Sequence, residues 1–257
     1  MQQWIDVHSH LNMLEEGVDA AIQNAKAAGV RRLITIGTEP GDFQTVLDIA
    51  HKYYPEVYCT LGVHPHDGKV YTPEIGKFIE DHVSDPVVVA IGEIGLDYYY
   101  DQSPREEQRE AFRAQLEIAK RTKMPVQIHT RDADEDTVEI LKEFKGDVTG
   151  IIHCFTGTEM LARESLDLGF NISISGVVTF KNADSLRAIV KMLPLDRIHV
   201  ETDSPFLAPI PMRGKKNTPA FVVHTAKFVA ELKGISEEQL AEQTKLNALK
   251  MFPKIQW

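Results

Sequence analysis

The chain has 257 residues, 43% hydrophobic and 26% charged, with a formal net charge of −10 and two cysteines. This composition excludes a disordered or fibrous polymer, and the apolar runs fall short of the ~20 residues that cross a bilayer. So acidic a chain is also a poor sequence-independent DNA clamp, although a small site could still handle phosphates one at a time with metal ions supplying positive charge.

The opening "MQQWIDV" has no basic segment leading into an apolar one, so no secretory leader is expected and the cytoplasm is the default compartment. Next comes the first strand candidate, "WIDVHSH" (4–10). Side chains two apart on a strand share a face, so Asp6, His8 and His10 form one polar column. Further short β-branched runs follow at 31–37, 57–64, 87–95, 126–130, 149–155, 171–176 and 197–203. Amphipathic segments lie between most of them. In "TPEIGKFI" Thr72 is expected to cap a helix. In "SPREEQREAFRAQLEIAKR" the expected start is a Ser103 cap with Pro104 in the first turn and Glu106 closing a capping box. Phe112, Leu116 and Ala119 then mark one apolar face. Past the eighth run, Thr218 should cap "TPAFVVHTAKFVAEL", Gly234 should end that helix, and Ser236 with Gln239 should start the last one. Cys59 and Cys154 lie within apolar runs and are expected as buried, reduced thiols.

Eight strands alternating with helices in a chain of this length predict a parallel (β/α)8 TIM barrel, continued by C-terminal helices, as one domain over 1–257. The awkward residues fall near the strands' carboxyl ends: His8 and His10, His64 and His66, Glu93 with Asp97, His129 with Arg131, His153, and Glu201 with Asp203. A barrel brings those ends to one face, where barrel enzymes keep their active sites. Imidazoles mixed with carboxylates suit divalent metals, and four histidines plus Glu93 and Asp203 exceed one tetrahedral shell, so two ions are expected. Zinc, manganese and magnesium all fit such a set. His51, His82, His199 and His224 are read as structural. Other residues keep two readings. Arg131 is either an ion-pair partner of Asp132 or Asp134 or a substrate contact. The "RGKK" run is either a solvated loop or a phosphate contact. "DYYY" (97–100) either packs a loop as a lid or stacks bases.

The motifs "DVHSHL", "LGVHPH", "GEIGLDYY", "VQIHTRDA", "GIIHCFTG", "GFNISISG", "VETDSPFLAP", "MRGKKN" and the late "LNA" occur in this order and cover the chain from residue 5 to about residue 250. Together they resemble the TatD family of metal-dependent deoxyribonucleases, within the amidohydrolase-like barrels. The resemblance implies that His8 and His10 ligate a first ion, that Glu93 bridges two ions, and that His129 and His153 ligate the second. It implies that Asp203 ligates the first ion and aligns, or takes a proton from, the attacking water. His64 would touch the scissile phosphate, with Arg131 and Lys215 as further phosphate contacts, and Asp6 would orient a ligand from one layer deeper. The implied partner is DNA, as single strands or ends, cleaved from the 3′ end, and the chain is expected to be a monomer with no membrane attachment. One departure is Thr218, where family members often carry a glutamate. Two rivals remain at this point: a hydrolase of small amides, lactones or phosphoesters on the same ligands, and a metal-stabilised scaffold without activity.

Overall fold

A computed structural model describes residues 2–257. Strands β1 (Trp4–Ser9), β2 (Val30–Ile36), β3 (Val57–Leu61), β4 (Val88–Asp97), β5 (Val126–Arg131), β6 (Gly150–Ile152), β7 (Asn171–Ile174) and β8 (Ile198–Val200) alternate with helices. They form one eight-stranded sheet in chain order, each strand parallel to the next. Closure between β8 and β1 is made just past the end of β8. Asp203 N–H donates to His8 O, His10 N–H donates to Ser204 O, and Ser9 bridges Ser204. The expected (β/α)8 barrel is therefore present.

The helices are α1 (Val18–Ala27), α2 (Phe43–Lys52), α3 (Pro73–His82), α4 (Arg105–Thr122), α5 (Asp134–Glu143), α6 (Glu159–Asp167), α7 (Asp184–Met192), α8 (Val222–Lys233) and α9 (Glu237–Met251). Thr72 caps α3 by accepting from Ile75 N–H, Gly234 ends α8 at φ 68°, and Ser236 with Gln239 forms the capping box of α9. Phe112, Leu116 and Ala119 are buried along α4. Two expected caps are corrected. Pro104 takes the N-cap position of α4 with no side-chain cap, Glu106 accepts from Arg109 instead of closing a capping box, and the buried Ser103 hydroxyl donates to His66 O and accepts from Lys69 N–H. Thr218 opens a short 3-10 turn with no side-chain cap, because its hydroxyl donates to Glu16. Both side chains are claimed by neighbouring loops, which outweighs their local preference.

At the amino ends of the strands, Ile5, Ile34, Tyr58, Val89 and Ile151 join Phe252 and Ile255 in one apolar cluster. Strands so far apart around a barrel meet only through its interior, so the C-terminal segment plugs that end. Polar contacts fix the plug. Lys254 Nζ donates to the carbonyls of Val83, Asp85 and Val88, and Gln256 N–H donates to the Tyr58 hydroxyl. Phe252 is fully buried, so Phe252→Ala is expected to lower the unfolding free energy in urea by about 3–5 kcal/mol. A loss below about 1 kcal/mol would show that the plug contributes little.

Candidate metal centre

The carboxyl ends of the strands hold the ionisable residues that the sequence places there. Several sit beyond the ladder rather than on it. His64, His153, Glu201 and Asp203 follow the last residues of β3, β6 and β8. The chain turns sharply at Cys154 (φ 41°) and Asp203 (φ 55°), which takes His153 and Asp203 out of the sheet's pleat. Glu93 lies where the β4–β5 pairing shifts register between Ile91 and Ile94, and such bulges re-aim a side chain. Gly95 just after it has φ 139°, and a Cβ there would lie 2.0 Å from His129 O, so only glycine fits.

Glu93 is 3% exposed and central. Its Oε1 lies 2.7 Å from His153 Nε2, 3.0 Å from His129 Nδ1 and 3.4 Å from His64 Nε2. Its Oε2 lies 3.5 Å from His8 Nε2. Asp203 Oδ1 is 3.4 Å from His10 Nε2 and 3.7 Å from His8 Nε2. Burial would raise the Glu93 carboxyl, but the surrounding imidazoles outweigh it and hold the group well below the usual carboxylate range. Asp203 is likewise lowered by His10, His153 and His8 against its burial. Against burial, Asp203 with Glu93 raises His10, Asp97 with Glu93 raises His129, and Glu93 with Glu201 raises His153 above the ordinary imidazole range.

Hydrogen bonds on the far side of each ring decide which nitrogen faces the centre. Gln127 Nε2 donates to Val7 O at 2.9 Å, which turns its Oε1 toward His8, and His8 Nδ1–H donates to it at 2.6 Å. His129 places Nε2 3.0 Å from Asp97 Oδ2, and His153 places Nδ1 3.3 Å from Glu201 Oε1. In the neutral form of each ring, the form that ligates, the bonded nitrogen keeps the proton, so His8 Nε2, His153 Nε2 and His129 Nδ1 are the atoms that would offer lone pairs to an ion. His64 is the opposite case. Its Nδ1 accepts from His66 N–H at 3.1 Å, so Nε2 carries the proton and points a donor toward Glu93. Burial keeps this ring neutral by pushing its pKa down to about 4.

The site tests well as a metal centre. His8 Nε2, which faces both Glu93 and Asp203, is buried without a hydrogen-bond partner. Ligand atoms about 2.1 Å from one ion in a tetrahedron lie roughly 3.4 Å apart, close to the spacings around Glu93 and Asp203. Ligand atoms of His8, His10 and Asp203 lie within 4.8 Å of one another, as do those of His64, Glu93 and His129, and those of His8, His153 and Glu201. The tautomer of His64 sets it apart within its group, because a nitrogen that carries a proton cannot ligate.

Of the expected site residues, the structure brings together His8, His10, His64, Glu93, His129, His153 and Asp203. Arg131 lies at the rim, with its guanidinium 4.0 Å above the Tyr99 ring, and pairs with neither Asp132 nor Asp134; Asp134 is taken by Thr158. Lys215 is exposed on its loop, where Arg213 stacks on Phe180 and Lys216 pairs with Glu15. Asp6 does not touch a ligand ring. Its carboxylate accepts from Thr202 N–H and Oγ1–H and so fastens the segment carrying Asp203 to β1. Cys59 is buried, but Cys154 is only partly so, beside Ser175. Gln127 was missed by sequence reasoning, and Asp97 and Glu201 were seen without their tasks. The available signal was spacing: Gln127 and His129 are two apart, as are Glu201 and Asp203.

Two outcomes follow from this chemistry. Gln127→Leu removes the acceptor that fixes the His8 tautomer, and is expected to weaken metal binding about 10–100-fold in a competition with a chromophoric chelator. Affinity of the metal-stripped protein should also fall as pH drops from 8 to 6, with protons released on binding. The raised His10, His129 and His153 hold protons that an ion must displace, and calorimetry in buffers of different ionisation enthalpy reads that release.

Comparison with known proteins agrees with this geometry. A family model described as "TatD related DNase" matches residues 5–253. A Bacillus subtilis protein named "uncharacterized metal-dependent hydrolase YabD" is 42% identical, with 96% of this chain and 98% of that protein covered. A Klebsiella pneumoniae protein named "3′-5′ ssDNA/RNA exonuclease TatD" is 36% identical, with 91% of each covered. The crystal structure of YjjV, a TatD homologue from Escherichia coli, superposes with a TM-score of 0.91 at 29% identity, covering 97% of this chain and 98% of that one. The chain belongs to the TatD family of metal-dependent hydrolases.

Proposed function

We propose that the protein hydrolyses phosphodiester bonds of DNA as a 3′-5′ exonuclease, acting as a monomer in the cytoplasm. The observation that carries this reading is a donor beside a paired ligand set. His64 presents Nε2–H to the same carboxylate, Glu93, that is flanked by the inward nitrogens of His8, His129 and His153. A phosphate oxygen at the centre would meet that donor directly. The TatD family membership and the exonuclease name of one relative support the substrate class.

In this reading His8, His10, Glu93 and Asp203 would hold one divalent ion, and Glu93, His129 and His153 a second, with magnesium, manganese and zinc all suited to the donors. Such ions, when bound, supply a water of lowered pKa and positive charge beside the phosphate oxygens. The chain supplies the rest. Asp203, held ionised, accepts the proton of the attacking water at a carboxylate oxygen and keeps that water in line with phosphorus. His64 donates to a non-bridging oxygen. Arg131 at the rim and Lys215 on its exposed loop contact phosphates further along the strand. Gln127, Asp97 and Glu201 hold the ligand rings in place throughout.

The test is nucleotide release from 3′- and 5′-labelled single-stranded DNA by metal-stripped protein with magnesium, manganese or zinc restored. Release from the 3′ label first is expected, with Asp203→Asn lowering kcat by about 10²–10⁴. Steep weakening with salt separates this substrate from a small neutral one. No cleavage by metal-loaded protein would contradict the proposal.

A further inference from the structure

We propose that Tyr99 and Tyr100, braced by the Arg131 guanidinium, form a stacking shelf for an unpaired nucleobase next to the scissile phosphate, which would account for selection of single-stranded ends. This rests on the phosphodiesterase reading above. Tyr99 is 57% and Tyr100 54% exposed, yet both rings are ordered against each other edge to face, 4.9 Å apart at 88°. The Arg131 guanidinium lies 4.0 Å from the Tyr99 ring and 4.8 Å from that of Tyr100, without an acidic partner among the described residues. Tyr98 takes no part, because its hydroxyl donates to Asp136 and its ring lies under Arg105.

The shelf is wired to the centre. Asp97 Oδ1 accepts from the backbone N–H groups of Tyr99 and Tyr100, while its Oδ2 holds His66 and the inward-facing His129. One buried carboxylate thus fixes both the shelf and a metal-facing imidazole. The Tyr100 ring stands 5.4 Å from His66, which stands 4.3 Å from His64, the donor aimed at the phosphate. Half-exposed Phe206 stands 6.0 Å from His10, so aromatic surface also borders the His10 edge of the centre. Aromatic faces take any base, but only one whose own faces are free of a duplex stack. Cation and ring together suit the base–phosphate alternation of a single strand.

The test compares KM and kcat of the manganese-loaded enzyme on a 12-residue single-stranded oligonucleotide and on versions with one abasic site walked through the last three positions. Tyr99→Ala/Tyr100→Ala is expected to raise KM about 10-fold while kcat changes less than about 2-fold. One abasic position should raise the KM of the unaltered enzyme by a similar factor and add nothing in the alanine variant. Tyr99→Phe/Tyr100→Phe should keep KM within about 2-fold, since the rings remain. An unchanged KM in the alanine variant, or abasic penalties equal in both enzymes at every position, would overturn the shelf alone. Failure of the unaltered enzyme to cleave any oligonucleotide would overturn the nuclease reading and the shelf with it.

Discussion

The site is organised around one buried carboxylate. An isolated ionised carboxylate in a low-dielectric interior costs on the order of tens of kcal/mol, and a real group would protonate first. Glu93 escapes that fate because imidazoles of His8, His64, His129 and His153 stand 2.7–3.5 Å from its oxygens. Its two oxygens face different sets: Oε2 looks to His8, and Oε1 to His129, His153 and His64. Such a carboxylate has the form of a shared ligand. The register shift in β4 and the glycine at position 95 give the backbone the shape that points it there.

The polar groups behind the rings matter as much as the rings. Gln127, Asp97 and Glu201 each hold one ring nitrogen of His8, His129 and His153, so the proton each neutral ring keeps lies away from the centre. A backbone N–H does the reverse to His64. Residues of one type are thereby divided between lone-pair donors and a proton donor by neighbours that lie behind the rings. Asp6 works further out, tying Thr202 to β1 and so closing the barrel beside Asp203. Burial pushes its carboxyl well up despite the Thr202 donors, a sign of how dry that seam is.

Much of this was readable in the sequence. β-branched runs separated by amphipathic ones gave all eight strands, and the barrel followed from their number and parallel order. The ligand candidates were readable because ionisable residues at the ends of apolar runs have no place in a dry core. The strand ends were not, since positive φ at Cys154 and Asp203 reflects tertiary closure rather than local preference. Ser103 and Thr218 failed as caps for the same reason, each hydroxyl being drawn to a neighbouring loop. Gln127 was hidden by its ordinary chemistry: a lone amide inside a strand acquires meaning only when His8 is seen beside it. Arg131 shows the limit of adjacency, because the nearest acids in sequence are not its partners and two tyrosines are.

The central proposal is that Glu93 would be shared between two ions. Anomalous diffraction from crystals of the protein loaded with manganese or zinc tests it most directly. The account predicts two peaks flanking the Glu93 carboxylate, one beside His8, His10 and Asp203 and the other beside His129 and His153. His64 would stand outside both coordination shells. A single peak, or a pair in which His64 ligates and Glu93 does not bridge, would contradict it.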